Sequence, residues 1–211
     1  GIEDERGKLM MSFIKMVSEI EPKVFLIENV KGLATHNSGD TLKYIIEELE
    51  NIGLYNIQYS VLNANDYGVP QNRERLIIVG TRSDLEGEFE YPEVQEVKPV
   101  LKDVLTDCPS SIGAVYNEEK CKLFDQIPQG GCWVNLPEDL QKSYLGNSYM
   151  SGGGKRGILK RLDMEKPSLT LLTTPSQKQT ERCHPIETRP LQTLEYARIQ
   201  TFPDDYKFSG S

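Results

Sequence analysis

The chain has 211 residues, of which 37% are hydrophobic and 27% charged, and a formal net charge of −8. That length allows one large domain or two modest ones with an ample core, and no run approaches the roughly 18 apolar residues that span a bilayer, so no membrane partner is expected. The negative total argues against a nucleic acid partner only if the charge is evenly spread, and it is not.

The sequence opens on Gly1 with no signal-peptide pattern, as expected of a fragment, a processed product or one piece of a longer protein. Residues 8–20, KLMMSFIKMVSEI, place Leu9, Phe13, Met16, Val17 and Ile20 on one helical stripe. Glu21 and Pro22 stop that helix. In KVFLIENVKGL, residues 23–33, the run from Val24 to Ile27 reads as a strand buried on both faces that ends on Glu28 and Asn29. The carboxyl end of a parallel strand is where α/β sheets open their crevice, which places Glu28 at a site rim. A cap or salt-bridge carboxylate is the alternative.

Asp40 is a candidate N-cap for a second helix carrying Leu42, Ile45, Ile46, Leu49 and Ile52, with Gly53 as its stop. Residues 56–62 alternate as a strand, with Ile57, Tyr59 and Val61 on one face, and RLIIVGT at 75–81 reads as another buried strand. The order helix, strand, helix, strand, strand predicts the closing half of a parallel α/β sheet whose last pair can form an antiparallel edge.

Beyond residue 82 the character changes. Residues 83–145 are acidic, hold several prolines and glycines and show weak periodicity, so a domain boundary is expected near 83. From Ser151 to Arg182 there are seven basic residues (Lys155, Arg156, Lys160, Arg161, Lys166, Lys178, Arg182) against three acidic ones. This local excess marks either a phosphate-contacting face or a solvated loop. The four cysteines, Cys108, Cys121, Cys132 and Cys183, form no CxxC pair, so no metal site is expected and reduced thiols in a cytoplasmic protein are the default.

In DYGVPQNRERLIIVG, Gln71, Arg73 and Arg75 alternate on the entry to a buried strand, so all three can face one side. Guanidiniums at such a mouth need acceptors, whether carboxylates, phosphates or a base carbonyl. Ion pairing with Glu74 and nearby acids is the other reading.

Taken together, these stretches resemble the DNA (cytosine-5)-methyltransferases of bacterial restriction-modification systems, from the fifth sequence motif of that family through the ninth. EDERGKLMMSFIKMV is similar to motif V, ENVKGL to motif VI, VLNANDYGVP to motif VII, QNRERLIIVG to motif VIII and RPLQTLEYARIQTFPDDYKFSGS to motif IX. The resemblance covers essentially the whole chain in the family order, with a variable region between motifs VIII and IX. QIPQGGCWVNLP looks like a stretch in some restriction-modification members.

The resemblance implies an α/β fold: the C-terminal half of a Rossmann-like methyltransferase sheet over residues 1–82, and a mixed, loop-rich target recognition domain over 83–211. It implies transfer of a methyl group from S-adenosylmethionine to carbon 5 of a flipped cytosine in double-stranded DNA, in the bacterial cytoplasm at the nucleoid. Carbon 5 is a poor nucleophile, so the family adds a cysteine thiolate to carbon 6. Charge then develops on N3 and O2 of the ring. By position Glu28 meets N3, where burial would keep a proton available, and Arg75 stabilises O2. Arg73 organises the site or binds a phosphate, and Asn29 and Gln71 hold the loops that shape the pocket. A base inside a duplex is out of reach, so it is flipped out. PSLTLLTTPSQKQTERCHP resembles the Thr-Leu segment of relatives, making Thr170 and Leu171 base-proximal candidates, while Lys155, Arg156 and Arg161 would follow the DNA backbone.

Several family parts are missing from the sequence: the Pro-Cys nucleophile, the glycine-rich loop that cradles S-adenosylmethionine, the acidic residue that would hold its ribose, and the last family motif. SGGGKRG is no such loop, because no apolar strand leads into it. Cys108 precedes Pro109 in the reverse order, and Cys183 beside His184 is expected to be structural packing. A partner is therefore expected, the N-terminal catalytic segment, in cis or as a separate subunit. Without it the chain should neither hold the cofactor well nor form the covalent adduct. The alternatives are a non-catalytic DNA-binding module and a purely structural α/β domain.

Overall fold

A computed structural model describes residues 5–150, 157–173, 177–178 and 180–209. Along the chain the elements are α1 (Glu5–Ile20), β1 (Val24–Val30), α2 (Gly32–Thr35), α3 (Asp40–Glu50), β2 (Tyr55–Asn63), β3 (Gln71–Asn72), β4 (Glu74–Arg82), α4 (Lys102–Leu105), α5 (Glu118–Phe124), α6 (Glu138–Leu145), β5 (Lys160–Arg161), β6 (Ser168–Leu169), β7 (Arg182–Cys183) and α7 (Thr193–Ile199). The fold is α/β. Two compact units are present, Gly1–Asn63 with Glu74–Val94 and Ala64–Arg73 with Gln95–Ser211. A single cut near residue 83 does not describe them: residues 64–73 belong to the second unit and 83–94 to the first.

In the first unit the sheet order is β1-β4-β2. Both pairings are antiparallel, with Ile27 opposite Ile78 and Tyr59 opposite Ile78. The expected parallel pairing is not found among these strands. β1 and β2 do run the same way, but β4 inserts between them and takes the hydrogen bonds of both. Pleating sends alternate residues to opposite faces, and one face packs against α1 and α3. Ile14 and Val17 from α1, Leu42, Ile45 and Leu49 from α3, and Phe25, Ile27, Tyr55, Leu76 and Ile78 from the sheet form this core. Phe25 sits opposite Gly80 in the ladder, and a Cβ on Gly80 would lie 2.2 Å from its ring. The ring thus fills the room that a side chain would need.

Three local expectations are corrected. The α1 stripe is rotated: Ile14 and Val17 are buried, while Leu9, Met16 and Ile20 are exposed. β1 is covered on one face only, with Val24, Leu26 and Val30 exposed, because it is an edge strand with one packed face. Asp40 is the first helical residue of α3 rather than its cap; Gly39, at φ +94°, holds the capping position after left-handed Asn37 and Ser38. Gly53 does adopt a positive φ of 75° just past the helix end, where a residue without a Cβ is favoured.

The second unit has little regular structure and two apolar clusters. One gathers Phe124, Ile127, Leu136, Leu145, Ile158, Leu159 and Cys183. The other gathers Leu101, Leu105, Leu162, Leu171, Leu191 and Ile199, which fixes α4 against α7. Its strands are two-residue parallel pairs, β3 with β6 and β5 with β7.

Candidate functional site

Within the first unit, Glu28 and Arg75 project from the sheet face turned away from the helices. Glu28 lies opposite Ile77 and Val30 opposite Arg75, so the two are diagonal neighbours within side-chain reach. The Glu28 Oε1 and Arg75 Nε atoms are 2.7 Å apart, with the Arg75 side chain largely covered and that of Glu28 50% exposed. Arg75 Nη1 also donates to the Glu74 carbonyl at 2.8 Å. A second pair stands beside the first, Lys31 with Glu74 at 2.7 Å. The burial expected of Glu28 is not found, since no strand covers the outer side of β1 among the described residues. Asn29 alternates to the opposite face, and its Oδ1 accepts the Val30 N–H at 2.8 Å. The Lys31–Glu74 pair was not singled out from sequence, although both residues flank the quoted motifs.

In the second unit β3 and β6 bring two sequence-predicted groups together. Gln71 is opposite Ser168 and Asn72 opposite Leu169. The buried Gln71 side chain accepts the Leu171 N–H at 3.3 Å, Thr170 Oγ1 donates to the Asn72 carbonyl at 2.8 Å, and Ser168 N donates to the Pro70 carbonyl at 2.9 Å. Arg73 and Leu171 then line one cavity of about 570 Å³ with Thr173, Thr193, Tyr196 and Gln200. Tyr196, Thr193 and Gln200 come from α7 and its end, inside the motif IX stretch, where sequence showed the block but not the lining residues. The expected common strand face for Gln71, Arg73 and Arg75 is corrected: β3 ends before Arg73, β4 begins after it, and only Arg75 belongs to the first unit.

Arg161 is corrected too. Expected to follow a DNA backbone, it is buried and spends its guanidinium on the carbonyls of Ile127, His184, Glu187 and Phe124 and on Thr188 Oγ1, at 2.8–3.2 Å. A fork with every nitrogen so engaged cross-links loops. Lys155 and Arg156 lie outside the described residues. The other cations of that stretch are also engaged. Lys160 bonds the Gly130 carbonyl, and burial lowers its pKa. Lys166 pairs with Asp163 at 3.1 Å. Lys178 donates to the Tyr144 carbonyl at 2.8 Å, and Arg182 is buried, donating to the Glu181 carbonyl at 2.9 Å.

Cys183 is fully buried in an apolar cluster, which pushes its thiol up to about 11; a thiol so held is a poor nucleophile. Burial likewise raises the Cys108 thiol, against a lowering influence from Arg198. Beside Cys183 stands a network that sequence did not reveal. Glu195 receives both Nη atoms of Arg189 at 2.7 and 2.8 Å and the Gln192 N–H at 2.6 Å. Arg189 reaches back to Glu187 at 2.9 Å. His184 lies 3.6 Å from Glu195, and its Nδ1 accepts the Glu187 N–H at 3.0 Å. A segment of loops is thereby locked to the start of α7. Among the described residues no group of His, Cys, Asp and Glu is placed to hold a metal ion.

The profile of the C-5 cytosine-specific DNA methylase family matches residues 1–211. The Type II methyltransferase M.Sau96I of Staphylococcus aureus is 49% identical, an alignment that takes in 100% of this chain and 50% of that protein. The Type II methyltransferase M.Eco47II of Escherichia coli is 48% identical over 100% of this chain and 52% of its own length. The chain therefore spans about half the length of these curated relatives. Among solved structures, a candidate DNA modification methyltransferase encoded within an E. coli prophage superposes with a TM-score of 0.62 at 24% identity, covering 97% of this chain and 66% of that one.

Proposed function

The chain belongs to the C-5 cytosine-specific DNA methylase family, and from that premise we propose that it forms the half of a DNA (cytosine-5)-methyltransferase that stabilises the target ring and recognises duplex DNA. The observation that carries the reading is the Glu28–Arg75 pair, 2.7 Å apart on one face of adjacent strands. A cytosine presents an acceptor at N3 and another at O2. When a thiolate adds to carbon 6, negative charge moves onto both. A carboxyl group at N3 supplies a proton or hydrogen bond, and a guanidinium at O2 stabilises the other pole. Because Arg75 Nε already holds Glu28 and Nη1 the Glu74 carbonyl, Nη2 is the donor assigned to O2. The pairing orients both side chains before substrate arrives, and pre-set polar groups of this kind avoid reorganisation during the reaction.

In this proposal the second unit reads the DNA. Thr170 and Leu171, tied to Asn72 and Gln71, stand base-proximal. Arg73 serves a phosphate or organises the cavity that it lines with Leu171. Lys155 and Arg156 are the backbone contacts, and Arg161 is a structural residue. The thiolate and the S-adenosylmethionine site are assigned to the half of the relatives that this chain does not match. This assignment follows from the sequence, where no apolar strand leads into SGGGKRG. The partner of this chain is accordingly the complementary N-terminal segment, in cis or as a separate subunit, and the setting is a restriction-modification system in the bacterial cytoplasm. No helix among the described residues is long and apolar enough to cross a membrane.

The test joins this chain to the complementary half of the Staphylococcus aureus relative and offers the product duplex DNA containing 5-fluorocytosine together with S-adenosylmethionine. Once the methyl group is on carbon 5, fluorine stands where the proton would be lost, and this prevents release of the thiolate. A covalent adduct that survives denaturation is expected. Tight DNA binding without an adduct would overturn the proposal in favour of a non-catalytic DNA-binding module.

A further inference from the structure

We infer that Lys178, aimed by the ring of Tyr144, contacts a backbone phosphate of bound duplex DNA. This rests on the DNA-binding reading of the second unit. It singles out one residue of the basic run 151–182, which the sequence left open between a phosphate-contacting face and a solvated loop.

Charge separates Lys178 from its neighbours. Six lysines of the second unit, Lys98, Lys102, Lys120, Lys122, Lys142 and Lys166, each pair with a carboxylate. In the basic run itself Arg161 and Arg182 are buried on backbone carbonyls, and Lys160 is half-buried against the Gly130 carbonyl. Lys178 is exposed, and no carboxylate among the described residues pairs with it. Neutral groups hold its ammonium instead. Nζ lies 4.4 Å from the centre of the Tyr144 ring and donates to the Tyr144 carbonyl at 2.8 Å. The chain is tied on either side, with Thr180 N donating to the Gln177 carbonyl at 2.9 Å. The ring is held in turn: Tyr144 sits on α6, partly buried against the Phe124 cluster, with its hydroxyl turned inward to the Glu181 carboxylate. Glu181 is fully buried and is itself fixed by Lys120 at 2.5 Å and by the Leu159 N–H at 3.2 Å.

An ammonium offers three donors. The carbonyl takes one and the ring another, leaving a third donor and an uncancelled charge for an outside anion. A phosphate of the DNA backbone meets both needs. A lysine ordinarily loses rotamer freedom on binding, and a ring that has already ordered the side chain removes part of that cost. Position agrees: the chain from β6 to β7 carries Thr170 and Leu171, the base-proximal pair, and then Lys178. The acids on the elements packed here do not cancel the contact. Glu118 is paired with Lys122 at 2.7 Å and Glu138 with Lys142 at 2.6 Å. Glu119 on α5 and Asp139 on α6 are exposed, and neither pairs with Lys178. Asp139 stands about 140° around α6 from Tyr144, and Glu119 about 100° around α5 from Lys120, which points inward. Their charge still opposes DNA within a Debye length, so the contact is read from salt dependence as well as from affinity.

The experiment measures binding of the 211-residue chain to a short DNA duplex by anisotropy, in steps from about 50 to 200 mM salt. Lys178→Gln should make the fall of log K with log salt shallower by about 0.9, the counterion release of one phosphate, and Lys178→Arg should keep the native slope. Lys43→Gln, an equal change of charge in the first unit, should keep it too. Tyr144→Leu should keep the slope but bind about two- to tenfold more weakly, because the lysine must then be ordered on binding. In the Lys178→Gln background it should cost nothing further. Tyr144→Phe keeps the ring and should bind as the native chain does, which separates aiming from the contact with Glu181. The Lys178 variants alter an exposed side chain and so decide the contact even where Tyr144→Leu melts early. A native slope in Lys178→Gln overturns the contact. Unchanged affinity in Tyr144→Leu, or the same loss with and without Lys178, overturns the aiming by the ring. A native chain that binds no duplex at low salt removes the DNA-binding reading and the contact with it.

Discussion

Glu28 and Arg75 meet at 2.7 Å although neither is the other's cross-strand partner, the contact running diagonally across the β1–β4 ladder. Strand alternation alone puts both on one face. A one-residue slip of β1 against β4 would turn the whole strand over and separate them. The geometry therefore depends on the register, and the register depends on the buried set Phe25, Ile27, Leu76 and Ile78.

Replacing Glu28 by Gln keeps the shape and the hydrogen-bonding capacity toward a ring but removes a group that can take up and deliver a proton. In the chimera with the Staphylococcus aureus half, turnover should fall about 10²–10⁴-fold, the range of a positioned general acid. The Kd for duplex DNA should change by less than about threefold, because a group acting only in the transition state contributes little to ground-state binding. Parallel losses in both quantities would remove Glu28 from its place at N3.

Gly80→Ala probes the register directly. The new methyl would lie 2.2 Å from Cε1 and Cζ of Phe25, so the ring must leave its place over the ladder and its edge contacts with Phe13 and Tyr55, at 6.1 and 5.0 Å. Overpacking of this kind costs about 1–3 kcal/mol. Melting of the isolated chain should record it, and Phe25→Leu in the same chain should restore part of the loss. An unchanged melting temperature for Gly80→Ala would mean that the ring moves freely.

Much of this was legible along the chain. α1, α3, β1, β2 and β4 fall within a few residues of where periodicity puts them, because each carries its own pattern of apolar residues and its own stop. What periodicity could not supply was the neighbour. α1 has Leu9, Met10, Met11, Phe13, Ile14, Met16, Val17 and Ile20, apolar nearly all round, so the buried side was decided by the sheet. The insertion of β4 between β1 and β2 leaves no mark on any one strand. The site was readable where its residues share a quoted block, as Glu28 and Arg75 do with motifs VI and VIII. It was not readable where function and structure use the same residue type. Arg161 sits in a basic run, yet the carbonyls that bury it come from 23 to 37 residues away in the chain.

Arg161→Met should accordingly appear as a stability defect. The substitution leaves the carbonyls of Phe124, Ile127, His184 and Glu187 without their shared donor in a buried place. Losing hydrogen bonds to a charged group and stranding acceptors costs roughly 3 kcal/mol or more. Denaturant unfolding of the chain should show a large fall in midpoint. DNA affinity, measured at a temperature where the variant is still folded, should change little. A variant of native stability with weakened DNA binding would return Arg161 to the DNA backbone.

Acidification should loosen the second unit in two steps. Burial holds His184 below the usual imidazole range, with Glu195 and Glu187 pulling it up and Arg189 and Arg161 pushing it down. The unfolded chain takes up a proton near pH 6.5 that the folded imidazole refuses, so stability is complete above that value and falls as the pH drops through it. The carboxylates act lower. Burial alone would raise Glu195, but the Arg189 fork and the Gln192 N–H hold it below the ordinary range, and Arg189 does the same for Glu187. Their contribution is present above about pH 4.5, their unperturbed value, and is lost as the pH falls through the lower folded values. Melting temperatures should be level from pH 8 to 7, decline from about pH 6.5, and decline more steeply below about pH 4.5. His184→Gln should abolish the first decline and leave the second. A native chain that melts at one temperature from pH 7 to 5 would mean that the folded imidazole accepts its proton as readily as the unfolded one, and that the pull of Glu195 outweighs burial.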